Sequence, residues 1–168
     1  MILIALGANQ NSPAGSPAAT FAAALERLAA RGVAALAVSR LFTSPAWPDP
    51  SEPPFTNAVA AVETALSPAE LMAALHAVEA EFGRERRVPN APRPLDLDLI
   101  DYEGRVESPL SGPILPHPRA VERAFVLAPL LDVAPDWRDP VSGRLGRELL
   151  KTAEALGNRA FPAHINLS

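Results

Sequence analysis

Apolar residues run unbroken or alternate with polar ones along some stretches, and recur every three to four positions along others. Ile2–Leu6 is apolar throughout and closes at Gly7, the pattern of a buried strand. Ser16 followed by Pro17 predicts an N-cap and a first helical residue. Phe21, Leu25 and Leu28 then recur at helical spacing until Gly32 supplies a stop. Val33–Phe42 alternates moderately and predicts a second strand; Asn57–Thr64 predicts a third. "SPAE", Ser67–Glu70, is a capping box with proline at the first helical position. It opens a helix whose buried stripe is Leu71, Leu75, Val78 and Phe82, ended by Gly83. A fourth strand lies in "RPLDLDLID", Arg93–Asp101, and "DYEGRV" after it reads as a hairpin turn. A last helix spans Leu145–Leu156 and stops at Gly157.

The order β-α-β-β-α-β predicts an α+β fold. It is the ferredoxin-like split βαββαβ sheet with helices on it, followed by a C-terminal helical extension. No internal repeat or interdomain linker interrupts it, so residues 1–168 read as a single domain. Half of the residues from Pro45 to Pro54 are proline, which makes this stretch a loop. It is too long and irregular for a plain connector, and such loops are usually functional lids or disordered.

The fourth strand carries the first chemical question. With a period of two, Leu95, Leu97 and Leu99 share one face, and Asp96 and Asp98 share the other. Asp101 falls in phase with the leucines. Asp96 and Asp98 then lie side by side, with Cα atoms about 6.5–7 Å apart. Two such charges raise each other's pKa unless something positive lies between them. Just upstream, "GRERRVPNAPR" places Arg84, Arg86, Arg87 and Arg93 within ten positions. Arginine forks match phosphate oxygens, and carboxylate pairs hold hard cations, so the stretch suits a magnesium-nucleotide site. An exposed strand face salt-bridged to a solvated basic loop is the equally open alternative.

Composition narrows the classes. There is no cysteine, hence no disulfide framework or thiolate metal site. The net charge of −4 argues against a nucleic-acid binder working by bulk charge. The apolar N-terminal run is too short for a signal peptide or membrane span, and the expectation is a soluble cytoplasmic protein. Lys151 is the only lysine and lies in the last helix, which excludes a Walker-A site and a protein-kinase site.

Of the three histidines, His76 pairs with Glu79 at i and i+3 on the flank of the second helix, where a surface pair is the default and a ligand-facing pair the alternative. His117 stands between two prolines that fix the backbone around it. Phe55 and Phe125 each suit a core, but as a pair they could sandwich a flat heterocycle. Asn57 could read the edge of such a ring with both donor and acceptor.

These segments resemble the 6-hydroxymethyl-7,8-dihydropterin pyrophosphokinase family of folate biosynthesis. The resemblance rests on "LGAN", "TSPAW…PPFTNAV", "LHAVEAEFGRER", "PRPLDLDLI" and "LPHPRAVERAFVLAPLLDVAP", in this order from Ile2 to about Pro135. It implies transfer of pyrophosphate from ATP to the pterin hydroxymethyl group, leaving AMP. It implies two magnesium ions on Asp96 and Asp98, bridging the ATP phosphates and the pterin hydroxyl. Arg84, Arg93 and His117 would contact the triphosphate, with Arg86 and Arg123 in support, and His76 and Glu79 would face the nucleotide. Of these, Arg84, Arg93, Asp96 and Asp98 would be the catalytic group. Phe55 and Phe125 would stack on the pterin, Asn57 would bond it, and Ser44, Pro45 and Trp47 would line its pocket. The expected partners are ATP and the pterin, with no nucleic acid and no membrane, and the expected state is a monomer. A catalytically weak pterin- or nucleotide-binding relative is the alternative. Asn90 and Ala91 stand in the segment where many relatives carry a tryptophan and a glycine, which bears on one ATP contact, and Phe55 stands where tyrosine is frequent.

Overall fold

A computed structural model describes residues 1–83, 94–110 and 112–163. The elements run β1 (Ile2–Ala8), α1 (Pro17–Ala29), β2 (Val33–Val38), β3 (Phe42–Ser44), β4 (Phe55–Thr64), α2 (Pro68–Glu81), β5 (Asp96–Tyr102), a 3₁₀ turn (Ala120–Glu122), α3 (Ala124–Val133), α4 (Gly146–Ala155) and β6 (Phe161–Pro162). The architecture is α+β. Six strands form one antiparallel sheet in the order β5-β1-β4-β3-β6, and β2 also pairs with β4.

The helix starts are built as the residue order predicts. Ser16 Oγ accepts the Ala19 N–H, and Ser67 and Glu70 form a reciprocal capping box. One face of the sheet carries Ile2, Ile4, Leu6, Ala58, Ala60, Val62, Leu97 and Leu99. It packs on Phe21, Ala24 and Leu28 of α1 and on Leu71, Leu75 and Val78 of α2. The other face carries Leu3, Val59, Ala61 and Ile100, packed on Ala124, Leu127 and Leu130 of α3, on Leu149 and Ala153 of α4, and on Trp137. Burying each of these leucines contributes about 1.5–3 kcal/mol, so both layers hold the sheet rigid.

The structure departs from the expected elements in four places. The predicted second strand, 33–42, is two strands. Ser39 breaks it: its Oγ accepts the Val59 N–H and donates to the Arg40 carbonyl. Asp132 of α3 then takes the Arg40 backbone N–H and both arms of its guanidinium at 2.9–3.0 Å. The turn after β5 forms, with Glu103 and Gly104 both at positive φ and Arg105 N–H donating to the Tyr102 carbonyl. The chain does not return along β5, however; Glu107 bridges Leu115 instead. Helix α3 was not expected as a helix. Pro129 falls inside it and its apolar residues follow no narrow stripe, since Ala124, Val126, Leu127, Pro129 and Leu130 are all buried.

The fourth departure is Asp101. A register shift against β1 between Leu3 and Ile4 puts a bulge in β5, with Leu3 opposite Asp101 and Ile4 opposite Leu99. A bulge resets the alternation. Asp101 leaves the leucine face and accepts the Trp137 indole N–H at 2.7 Å in the opposite layer, as well as the Gly104 N–H at 2.8 Å.

Candidate active site

The second face of the sheet is apolar at one end and polar at the other. Strand pairing lays Asn57, Gly7 and Asp96 across β4, β1 and β5 in one row, and Val59, Ala5 and Asp98 in the next. Beyond these rows the same face turns to Leu3 and Ile100 beneath α3. The carboxylates therefore stand half-buried at the margin of an apolar layer, with only small residues between them and Asn57. A Cβ on Gly7 would sit 3.7 Å from Asn57 Oδ1 and 3.9 Å from Asp96 Cβ. A methyl would just fit there; any larger group would occupy the floor.

Above this floor lies a cleft of about 490 Å³. The proline-rich loop supplies one wall through Pro45, Ala46, Trp47 and Pro50; Phe55 and Phe125 supply apolar surface; Asp96 and Asp98 mark the β5 side. Asn57 is buried, and its Nδ2 donates to Ser44 Oγ at 2.9 Å, which orients the amide. At the loop's far end Asn9 Nδ2 donates to the Pro53 carbonyl at 3.4 Å, and Asp49 accepts the Ser51 N–H and hydroxyl. The loop is thus tied down by polar bonds, while Trp47 stays 73% exposed at the rim.

Positive charge enters from the segment before α3. Arg123 occupies the N-cap position of that helix without a side-chain capping bond, and its guanidinium lies 5.5 Å from the Phe125 ring centroid. Burial and then Arg119 lower its pKa, and the carboxylates of Asp98 and Asp96 oppose that shift. His117 is half-buried in the same field. Its pKa is lowered chiefly by burial, with Arg123 and Arg119 acting in the same sense and Asp98 and Asp96 against. The His117 backbone N–H donates to the Ile100 carbonyl at 2.9 Å, beside the bulge, and Nδ1 accepts the Arg119 N–H at 3.2 Å. A neutral His117 therefore carries its proton on Nε2.

The structure brings Ser44, Pro45, Trp47, Phe55, Asn57, Asp96, Asp98, Arg123 and Phe125 to one cleft. Arg84, Arg86, Arg87, Arg93, Asn90 and Ala91 lie outside the described residues. His76 is exposed on α2. Glu79 corrects the expectation of a surface pair: it is 1% exposed, and its Oε1 accepts the Leu97 backbone N–H at 2.7 Å. Its place next to Val78 on the buried stripe carries it under β5, where its partner Leu97 stands between Asp96 and Asp98 in the chain. The cleft also has walls that the motifs did not mark: Arg119, Glu122 and the segment Gly157–Arg159. The phase of "PHPRAVER" could have pointed to Arg119; nothing local pointed to residues a hundred or more positions from Asn57.

Comparison with known proteins decides what this cleft belongs to. The sequence model of the 7,8-dihydro-6-hydroxymethylpterin-pyrophosphokinase (HPPK) family matches residues 3–135. The chain belongs to the HPPK family. It is 39% identical over 161 residues to the 2-amino-4-hydroxy-6-hydroxymethyldihydropteridine pyrophosphokinase of Pseudomonas aeruginosa, covering 96% of each chain. The protein of the same name from Methylorubrum extorquens is 38% identical over 144 residues, 85% of this chain and 89% of that one. The folic acid synthesis protein fol1 of Pneumocystis carinii is 40% identical over 120 residues, 71% of this chain, which spans only 16% of that protein's length. The HPPK match runs from β1 to just past α3, so it takes in the carboxylate strand, the proline-rich loop and Phe125, and leaves out the 157–159 wall.

Proposed function

We propose that this protein transfers the terminal pyrophosphate of ATP to the hydroxymethyl group of 6-hydroxymethyl-7,8-dihydropterin, a step of folate biosynthesis, releasing AMP. The observation that carries this is the joining, in one cleft, of a carboxylate pair with two phenylalanines and an amide held by Ser44. A flat ring that presents lactam donors and acceptors suits the second set, and a polyphosphate with its cations suits the first.

The donor set at Asp96 and Asp98 fits magnesium. Both are hard oxygen ligands on one strand face, half-exposed, and no cluster of three or more metal-ligating side chains occurs among the described residues. Magnesium is commonly held by one or two carboxylates, with water and phosphate completing its shell. When bound with ATP, two such ions would neutralise phosphate charge and lower the cost of bringing the acceptor oxygen near it. Asp96 and Asp98 would fix the position of that charge. Arg123 and His117 would add positive or donor groups on the phosphate side, together with Arg84, Arg86 and Arg93; His76, exposed on α2, would serve the nucleotide, whereas buried Glu79 would hold β5 in place through the Leu97 N–H. Phe55 and Phe125 would hold the ring, and Asn57 would set its rotation. Catalysis by this set is positioning plus charge neutralisation, and no side chain is required as a general base.

The ferredoxin-like reading of the sheet accords with β1 lying between β4 and β5 and with both helices of the first half on one face. No helix among the described residues is long and apolar enough to cross a membrane. Chromatography of the nucleotides after incubation with magnesium, ATP and the reduced hydroxymethylpterin tests the proposal. AMP is the expected product; ADP as the dominant product would refute pyrophosphate transfer.

A further inference from the structure

Asp101 is only 4% exposed and lines no part of the cleft. Its carboxylate is held by two neutral donors, the Trp137 indole N–H at 2.7 Å and the Gly104 N–H at 2.8 Å. Burying a carboxylate in this way is costly, and an apolar residue at 101 could join the leucine face without that cost. The indole is clamped in turn. Gly146 N–H donates to the Trp137 carbonyl at 2.8 Å, and a Cβ on Gly146 would lie 3.2 Å from Trp137 Cε3 and 3.1 Å from Leu131 Cδ2. Helix α4 thus begins at a residue small enough to admit the ring. Trp137 lies two residues beyond the end of the HPPK match.

The pair bears on the cleft through the β5 bulge. Leu3 stands opposite Asp101 and Ile4 opposite Leu99, which leaves Ile100 without a partner across β1. Ile100 is buried in the layer of α3, and Asp101 meets Trp137 in that same layer, so two successive side chains face one way. The Ile100 carbonyl takes the His117 backbone N–H at 2.9 Å. Ile100 lies two residues past Asp98 on the same face, so this bond sets the His117 backbone beside the site carboxylates. With Nδ1 on the Arg119 N–H, the ring presents Nε2. A bulge bends its strand locally, so losing it would re-aim the Ile100 carbonyl and His117 with it.

We propose that Trp137 and Asp101 are positioning residues for pyrophosphate transfer: their hydrogen bond holds the bulge whose free carbonyl fixes His117 on the phosphate side of the cleft. Neither residue touches a substrate. The loop before α4 thereby acts on the cleft through one strand. This rests on the pyrophosphate-transfer reading and on the place of His117 in it.

Double-mutant cycles in kcat for AMP release test it, pairing Trp137→Phe or Asp101→Asn with His117→Ala. Trp137→Phe keeps an aromatic ring and removes the donor; Asp101→Asn keeps one acceptor oxygen and loses the other. Each should lower kcat about 10-fold or more, since a misplacement of about 1 Å can cost about 100-fold, while KM for the pterin and for ATP stays within about twofold. In the His117→Ala background the same substitutions should change kcat less than about twofold, a result that general loosening of the fold would not give. Cooperative urea unfolding shows that a variant keeps native packing; its loss in both single variants would mean that the pair serves the fold alone and would overturn the assignment. So would an unimpaired His117→Ala, a rise in KM with kcat unchanged, or equal losses with and without His117. Wild-type protein that forms no AMP would refute the reaction itself; active wild type, impaired His117→Ala and normal kcat in Trp137→Phe and Asp101→Asn would refute only the positioning role.

Discussion

Replacing either site carboxylate by its amide should have opposite consequences with and without ligands. Asp96→Asn and Asp98→Asn keep shape and packing and remove one charge. Without metal, two carboxylates about 7 Å apart repel by about 2 kcal/mol at an effective dielectric of about 20. Both are half-exposed, and solvent reduces this to about 1 kcal/mol. Against that gain, Arg123 and His117 lose an opposite charge whose field they feel. The two effects have opposite signs, so in EDTA the urea-unfolding free energy of each variant should lie within about 1 kcal/mol of wild type. With magnesium and both substrates, loss of one charged ligand should raise the barrier by several kcal/mol; about 4 kcal/mol is a thousandfold in rate. AMP release followed by chromatography reads the second effect. Near-normal turnover in either variant at saturating magnesium would refute the metal-binding role. A loss of more than about 2 kcal/mol in EDTA would show a carboxylate that holds the fold instead.

Further outcomes follow from single contacts. Phe55→Ala and Phe125→Ala should each weaken pterin binding by about 1 kcal/mol or more and a nonhydrolysable ATP analogue far less, measured by calorimetry; equal losses would point to general unfolding. Trp137→Phe removes the donor to buried Asp101 and should cost about 2–3 kcal/mol in urea unfolding, with substrate KM values little changed. Because Trp137 matters to the fold, emission from Trp47, exposed at the cleft rim, is best read as wild type minus Trp47→Phe, and that difference should change on pterin binding. Glu79→Ala strands the Leu97 N–H and should destabilise by about 1–3 kcal/mol, whereas Glu79→Gln keeps an acceptor and should lose less. The Asp132 carboxyl is held below its usual range, first by its hydrogen bond to Arg40. A depressed carboxyl stabilises above its unfolded pKa of about 3.9 and loses that contribution as pH falls through the lower folded value. Asp132→Asn should therefore be less stable than wild type at pH 7, and the gap should close in acid.

Local rules determined much of this protein. Capping residues and helical spacing placed α1, α2 and α4, because those helices each show one apolar face to one layer. The alternation of "LDLDL" placed leucines and carboxylates on opposite faces of β5, because a strand has no other way to arrange them. The motifs in series marked Asp96, Asp98, the proline-rich loop, Asn57 and the two phenylalanines, which the structure brings to one cleft. What the tertiary structure alone decided depends on partners distant in the chain. Asp132, ninety-two residues from Arg40, splits the second strand. A bulge against β1 turns Asp101 away from the leucines toward Trp137. The Leu97 N–H draws Glu79 inside, where its charge made a surface position the default. Arg159 reaches the cleft only because β6 pairs with β3, more than a hundred residues earlier. Periodicity reports which face a residue occupies within its own element; which element comes to lie against that face is set by the packing of the whole sheet.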